Sequence, residues 1–446
     1  MKNKLIVTFL LLASIVQAQE NKQSYSFSLD QAISHALTNN RTAINAGRDI
    51  EMAKKKKWET TAMGLPQING SIGYQNNFVI QRSVIPAEFF GGTPGTFQEV
   101  AFGVKHNGTG NLSLSQLIFD GSYIVALQAS KTYLEFYQNY KQKTDIEVRE
   151  MIINSYGNVL LADESALILQ KNKTILEKTL FDTDQTYQNG LIEEENVEQL
   201  KITLASVNSN LNYVNRLRDI SLKMLKLNLG IEIEDELTLT DKLDALAVNN
   251  LDMAIKSNEF NASSNINYTI TQNFVNQRTL ELKLEKSKAL PTLSAGVNFG
   301  YNTFGNEFSF FNSSQRYFNY SNLGVNLNIP IFSSFARSAR TQQAKIALEK
   351  ANTDLIETEQ KLKLAYQSAK SDYEYSVEQY NSSKESLKLA ERIENKQQIK
   401  FREGLSTSFD FTEAQRQLYT SQQNYLQTMV DVINKKAALE KITGNK

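Results

Sequence analysis

Several stretches of the chain alternate strictly between apolar and polar residues. From Ile68 the even positions read Ile68, Gly70, Ile72, Tyr74, Asn76, Phe78 and Ile80, and the odd ones Asn69, Ser71, Gly73, Gln75 and Asn77. Later, Leu293, Ala295, Val297, Phe299 and Tyr301 alternate with Thr292, Ser294, Gly296, Asn298 and Asn302, and Leu323, Val325, Leu327, Ile329 and Ile331 with Gly324, Asn326, Asn328 and Pro330. A period of two over about ten residues, with aromatics near the ends, predicts strands with one face for lipid and one for water. Leu112, Leu114 and Ile118 against Asn111, Ser113 and Ser115 predict a fourth strand, interrupted at Gln116 and Leu117. Between the paired strands, Phe89 to Gly95 and Phe310 to Ser314 are predicted as exposed loops. A soluble sandwich edge would alternate in the same way, but the flanking segments supply no second sheet.

Those flanking segments carry a helical period. From about Gly121 to Tyr187 and from about Ser334 to Phe401 no proline interrupts the chain. Each run would extend roughly 100 Å at about 1.5 Å per residue. In the second run Leu348, Leu355, Leu362, Ala369, Ser376, Ser383 and Ala390 recur every seventh residue, beside a seam of Tyr366, Tyr373, Tyr380 and Leu387. A heptad stripe stays on its partner by left-handed supercoiling, and alanine and serine allow close approach. Shorter helices are predicted over Leu29 to Met63, Glu193 to Leu229, Lys242 to Lys288 and Ser408 to Ile442. Alternation from Ile231 to Leu239 predicts a small mixed collar between them.

The pattern occurs twice. Leu65-Pro66-Gln67-Ile68 opens one alternating segment and Leu290-Pro291-Thr292-Leu293 the other; Tyr187-Gln188-Asn189-Gly190-Leu191 is echoed by Phe401-Arg402-Glu403-Gly404-Leu405. A period of roughly 215 to 225 residues is too long for a solenoid unit and points to fusion of two copies of one module. The expected division is a signal segment 1–18, a first repeat 19–230 with its hairpin at 66–120, a connector 231–241, and a second repeat 242–446 with its hairpin at 291–332. Met1-Lys2-Asn3-Lys4, an apolar stretch to Val16, and Gln17-Ala18 have the form of a secretory signal.

Composition removes alternatives. Lys plus Arg balances Asp plus Glu at 48 each, so no long-range field recruits nucleic acid or anionic lipid. Without cysteine, neither a disulfide nor a thiol-linked lipid can hold the exported chain. The 23 Phe and 19 Tyr against one Trp suit aromatic packing at a lipid boundary. Four strands cannot close a spanning barrel, which starts at about eight, and an open edge in lipid leaves backbone groups unpaired. Oligomerisation is therefore expected: two chains would give a filled interior, three a water-filled lumen.

In the order of these features the chain resembles the TolC-like outer membrane efflux proteins over nearly its whole mature length. Ser28-Leu29-Asp30-Gln31-Ala32-Ile33, with Ala36-Leu37 and Asn39-Asn40, is similar to the family's first helix, and the duplicated Gly-Leu turns and hairpins to its internal repeat. The resemblance implies a mainly α fold with membrane β: a homotrimer with a twelve-stranded barrel in the cell outer membrane, continued by an α-helical barrel in the periplasm. It implies passive export, in an efflux or type I secretion system, coupled to an inner membrane pump through a periplasmic adaptor. The competing reading is a periplasmic coiled-coil adaptor or spacer, which would show one helical hairpin flanking a compact β-domain.

The resemblance also places an acidic ring shortly after the second turn glycine, at Asp410 and Glu413. The first repeat carries neutral Asn196 and Gln199 at the matching positions. Two carboxylates three residues apart share a helix face, and rings of them would favour cations and raise some carboxylate pKa values by crowding. Asp410 as a helix-start residue, with Thr407 or Ser408 as cap, is the alternative. Gly190, Leu191, Gly404 and Leu405 are assigned to adaptor contact, and read equally as plain helix C-caps. Some family members tether the closed tip with a tyrosine and an arginine where this chain has Phe401 and Ser406, so its lock must differ. His35 and His106 lack metal-ligand spacing, no phosphate-binding glycine loop precedes a Lys-Ser or Lys-Thr pair, and no nucleophile motif stands out. No cofactor, metal or catalysis is expected. Lys54 to Lys57 span every face of their helix and read as a solvated stretch.

Overall fold

The computed structural model describes residues 23–251 and 260–444; the signal segment expected at 1–18 lies outside them. The elements run β1 (Ser24–Phe27), α1 (Leu29–Asn39), α2 (Arg41–Ala62), β2 (Gln67–Asn76), β3 (Arg82–Pro86), β4 (Phe97–Ala101), β5 (His106–Asp120), α3 (Gly121–Gln188) and α4 (Glu194–Leu229). Then follow β6 (Glu236–Leu239), α5 (Leu243–Asn249), α6 (Ile266–Ser287), β7 (Thr292–Gly305), β8 (Tyr317–Asn328), α7 (Ala336–Arg402) and α8 (Ser408–Thr443). The described residues divide into two compact units, one of 23–50, 137–251, 260–272 and 354–444, the other of 51–136 and 273–353.

The second unit is built on a four-stranded antiparallel sheet in the order β2-β5-β7-β8. Each repeat supplies one hairpin, and the two hairpins join at β5 and β7. Gln116 and Leu117, where the alternation breaks, still pair in register with Ala295 and Ser294; a β-bulge follows at Ile118, between Leu117 and Phe119, and this extra residue turns the strand as it enters α3. β8 stops at Asn328 rather than running to Ile331. Pro330 has no N–H for a ladder, and the Arg337 guanidinium takes the carbonyls of Pro330 (2.7 Å) and Ile331 (3.1 Å) instead. The loop expected around Phe89 contains structure of its own: β3 and β4 pair around a 3-10 turn at Ala87–Phe90.

The first unit holds the helical core. Tyr156 and Phe411 are fully buried among leucine, valine and isoleucine side chains. Along α7 the heptad seam is the buried face, with Leu362, Tyr373, Ser376, Tyr380 and Ala390 all inside. Serine is accepted there because its hydroxyl bonds backward along the helix: Ser376 Oγ to the Tyr373 carbonyl (2.7 Å), and Ser383 Oγ to the Tyr380 carbonyl (3.0 Å). The collar residues form β6, which pairs in parallel with β1. The Tyr156 hydroxyl ties this collar to the core, donating to the Phe27 carbonyl (3.0 Å) and to Asp241 Oδ2 (3.0 Å).

Two of the helices predicted as continuous are broken at asparagines. Asn40 lies in extended conformation between α1 and α2; its Oδ1 caps Thr42 N (2.8 Å) and Ala43 N (3.2 Å), and its Nδ2 donates to the Asn228 carbonyl (2.7 Å). Asn265, ahead of α6, caps Asn267 N (2.8 Å) and donates to the Ile442 carbonyl (2.8 Å), so no single helix runs from Lys242 to Lys288. In each repeat a left-handed glycine faces the break. A Cβ on Gly230 would sit 2.1 Å from the Asn39 carbonyl oxygen, and one on Gly444 3.0 Å from that of Ser264.

Candidate functional site

The sheet orders its side chains in rows that cross all four strands. Ile68, Leu114, Val297 and Leu323 form one row, and Asn69, Ser113, Asn298 and Asn322 form the next on the opposite face. Because side chains alternate with a period of two, the polar row cannot share a face with the apolar one. Its members bond to one another: Asn298 Nδ2 donates to Asn322 Oδ1 (3.1 Å), and Ser113 Oγ to the Asn69 carbonyl (3.4 Å). On the apolar face Ile72 is 95% and Leu323 72% exposed within the single chain. Among the described residues nothing pairs with the outer edges of β2 and β8, which end the sheet. An apolar face of this size and two free edges are stable only when something covers them.

At the two helix turns the backbone is nearly identical. Gly190 and Gly404 both have φ of 72°. Gly190 N donates to the Tyr187 carbonyl (2.7 Å) and Leu191 N to that of Thr186 (3.2 Å); Gly404 N donates to that of Phe401 (3.1 Å) and Leu405 N to that of Lys400 (2.8 Å). These are paired Schellman caps, which need a residue free to adopt positive φ. Each then projects an exposed leucine, Leu191 at 75% and Leu405 at 77%. Phe401 stacks on the buried Phe411 ring at 5.3 Å, and Ser406 Oγ donates to Gln397 Oε1 (3.3 Å).

Beyond the turns the repeats diverge. Thr407 and Asp410 form a capping box at the start of α8: the Thr407 hydroxyl donates to Asp410 Oδ2 (2.8 Å) and Asp410 N donates to Thr407 Oγ1 (3.1 Å). The Thr407 hydroxyl, then its backbone N–H, hold the Asp410 carboxyl below the ordinary carboxylate range. Glu413 is gripped by Arg416 through Nε (2.8 Å) and a terminal nitrogen (2.5 Å), which lowers its pKa too. Within one chain both acids are thus ionised more readily than usual; the rise expected from crowding would need several chains. Asn196, the first-repeat counterpart of Asp410, instead accepts Ser408 N at 3.2 Å, so it caps the helix of the other repeat.

Sequence reasoning did not find Arg416, the role of Asn196, or the two asparagine–glycine breaks. The last carried a signal: Asn40 and Asn265 keep the separation of Pro66 and Pro291, and Gly230 and Gly444 that of Gly190 and Gly404. Among the described residues no cluster of acidic or histidine side chains could hold a metal ion, and no helix is long and apolar enough to cross a membrane.

Long paired helices and a four-stranded amphipathic sheet, each drawn from two sequence repeats, define the class of architecture. Residues 256–445 match the family model for "Outer membrane efflux protein", and no curated protein sequence matches the chain. Among solved structures the chain is similar to CusC, at 15% identity and a TM-score of 0.73 over 96% of each chain. It is similar also to VceC of Vibrio cholerae, at 16% and 0.70 over 93% of this chain and 96% of that one. With the CmeC outer membrane channel of Campylobacter jejuni the figures are 16% and 0.71, over 96% and 90%. The sequence match to that family model thus spans the second repeat, and the fold of these solved channels extends over nearly the whole chain.

Proposed function

We propose that three copies of this chain pool their sheets into one closed barrel and continue it with their helices, forming a passive export conduit. An inner membrane pump feeds it through a periplasmic adaptor. The observation that carries this reading is the sheet, amphipathic across all four strands and open at both β2 and β8. In hydrocarbon each unpaired backbone group costs several kcal/mol, so a lone chain cannot stay there and closure by neighbours removes the cost. Water then meets the Asn69–Asn322 row and lipid the Ile68–Leu323 row.

Asp410 and Glu413 are the groups we assign to the periplasmic aperture. Asp410 carries the greater share of its negative charge, because Arg416 offsets Glu413. The exposed Leu191 and Leu405, each set by its left-handed glycine, are the apolar knobs we assign to the adaptor. The conduit itself is tested by fractionating cells and reconstituting the product in planar bilayers. A heat-sensitive trimer in the outer membrane that conducts ions supports it; a soluble monomer returns the chain to a spacer role. Because the chain has no native cysteine, cysteines placed at Leu191 and Leu405 give clean cross-links. Capture of a co-expressed periplasmic adaptor is expected, and cross-linking only to other copies of the chain would exclude that assignment.

A further inference from the structure

The apolar face of the sheet is not smooth. At the end of the strands away from the helices, β5 places Gly108 and Gly110 at successive positions on this face, in register with Tyr74 and Ile72 on one side and Thr303 and Tyr301 on the other. The β7–β8 turn folds back over the same spot. The Phe308 and Phe310 rings stand edge-on to Tyr74 at 5.5 Å and 5.6 Å. The result is a hollow of about 720 Å³ floored by glycine and walled by aromatic rings, within the range of true ligand sites of roughly 300–1,000 Å³.

We propose that this hollow holds an acyl chain of the outer-leaflet glycolipid. It interrupts the row that continues into Leu112, Leu114 and Val297, the face we assign to lipid, and it lies at the loop end, hence in the outer leaflet. Most of its hydroxyls are already engaged. The Tyr74 hydroxyl pairs with His106 Nδ1 (2.8 Å), the Thr303 hydroxyl donates to the Arg316 carbonyl (2.9 Å), and the Tyr317 hydroxyl donates to the Phe310 carbonyl. With aromatic rings and glycine making up most of its wall, the hollow suits hydrocarbon and not a polar cargo. The two glycines differ in a useful way. A Cβ on Gly108 would meet Thr303 Cγ2 at 2.7 Å, whereas one on Gly110 would meet nothing within 4 Å. Gly110 therefore keeps the space open without being required by packing.

The proposal rests on the outer-membrane reading, and the experiment separates the two. The full-length trimer is purified from outer membranes, exchanged into mild detergent with lipid A as the probe, and weighed by native mass spectrometry. The wild type is expected to retain lipid A, and Gly110→Leu to lose it, while Leu323→Ala, on the same face but outside the hollow, keeps it. Ile72→Trp fills the hollow from the edge strand and guards against a folding defect in the first variant; it too is expected to strip clean. Equal retention by the wild type and both filled variants, or retention of phospholipid in place of lipid A, overturns the site. A membrane-inserted wild-type trimer without lipid A overturns it and leaves the channel standing; a wild type that never inserts overturns both.

Discussion

At the residue scale the protein relies on side chains that close gaps in the backbone. Asn40 satisfies two N–H groups and one carbonyl at a break in the helix while 5% exposed, and truncation leaves all three unmet. Asn40→Ala and Asn265→Ala are each expected to cost about 1–3 kcal/mol, read as a lower midpoint in thermal denaturation. Gly230→Ala is expected to cost more than Gly444→Ala, since its Cβ faces a carbonyl oxygen 0.9 Å closer (2.1 against 3.0 Å); equal midpoints for the two would contradict this. Glu394 supplies a pH test. Burial raises its pKa above the ordinary 4.5, with Gln415 opposing the shift by hydrogen bonding. A raised folded-state value gives stability that is complete below pH 4.5 and declines as pH rises through the raised value. Glu394→Gln is thus expected to melt higher than wild type at pH 7 and to lose that advantage near pH 4. At the aperture, Asp410→Asn is expected to weaken cation preference in planar bilayers more than Glu413→Gln. Unchanged selectivity in the double variant would leave Asp410 as a cap and no more.

At the element scale, local patterns were legible and non-local ones were not. The period of two marked β2, β5, β7 and β8, and the heptad marked the buried face of α7, because each is set by neighbours in sequence. The Schellman turns at Gly190 and Gly404 were visible for the same reason. The β1–β6 pair was not, since Gln23 N reaches Asp235 Oδ1 across 212 residues and a four-residue strand has no period to read. Glu413 was legible as an acid and not as an ion-paired one, though Arg416 stands only three positions on. The collar yields its own prediction. Tyr156→Phe removes the hydroxyl that joins Phe27 to Asp241, and a loss of about 1–2 kcal/mol is expected, again seen as a lower melting midpoint.

For the molecule as a whole the decisive question is which face of the sheet meets lipid. Leu323→Lys and Asn322→Lys are neighbours in β8 and point to opposite sides. On the proposed orientation a lysine at 323 enters hydrocarbon, where the cost reaches about 2–4 kcal/mol at mid-depth, and a lysine at 322 enters water. Heat-sensitive trimer is expected to fall for the first and persist for the second; the reverse would turn the sheet inside out. The asymmetry between Asn196 and Asp410 has a different consequence. Three subunits, each with two near-identical turns, would present six tips at almost equivalent stations around a ring. Yet the amide at Asn196 is spent capping the sister helix at Ser408, and the acid at Asp410 its own. A ligand walking round that rim would meet neutral and acidic stations in alternation, so a partner with true sixfold sameness would fit only every other one.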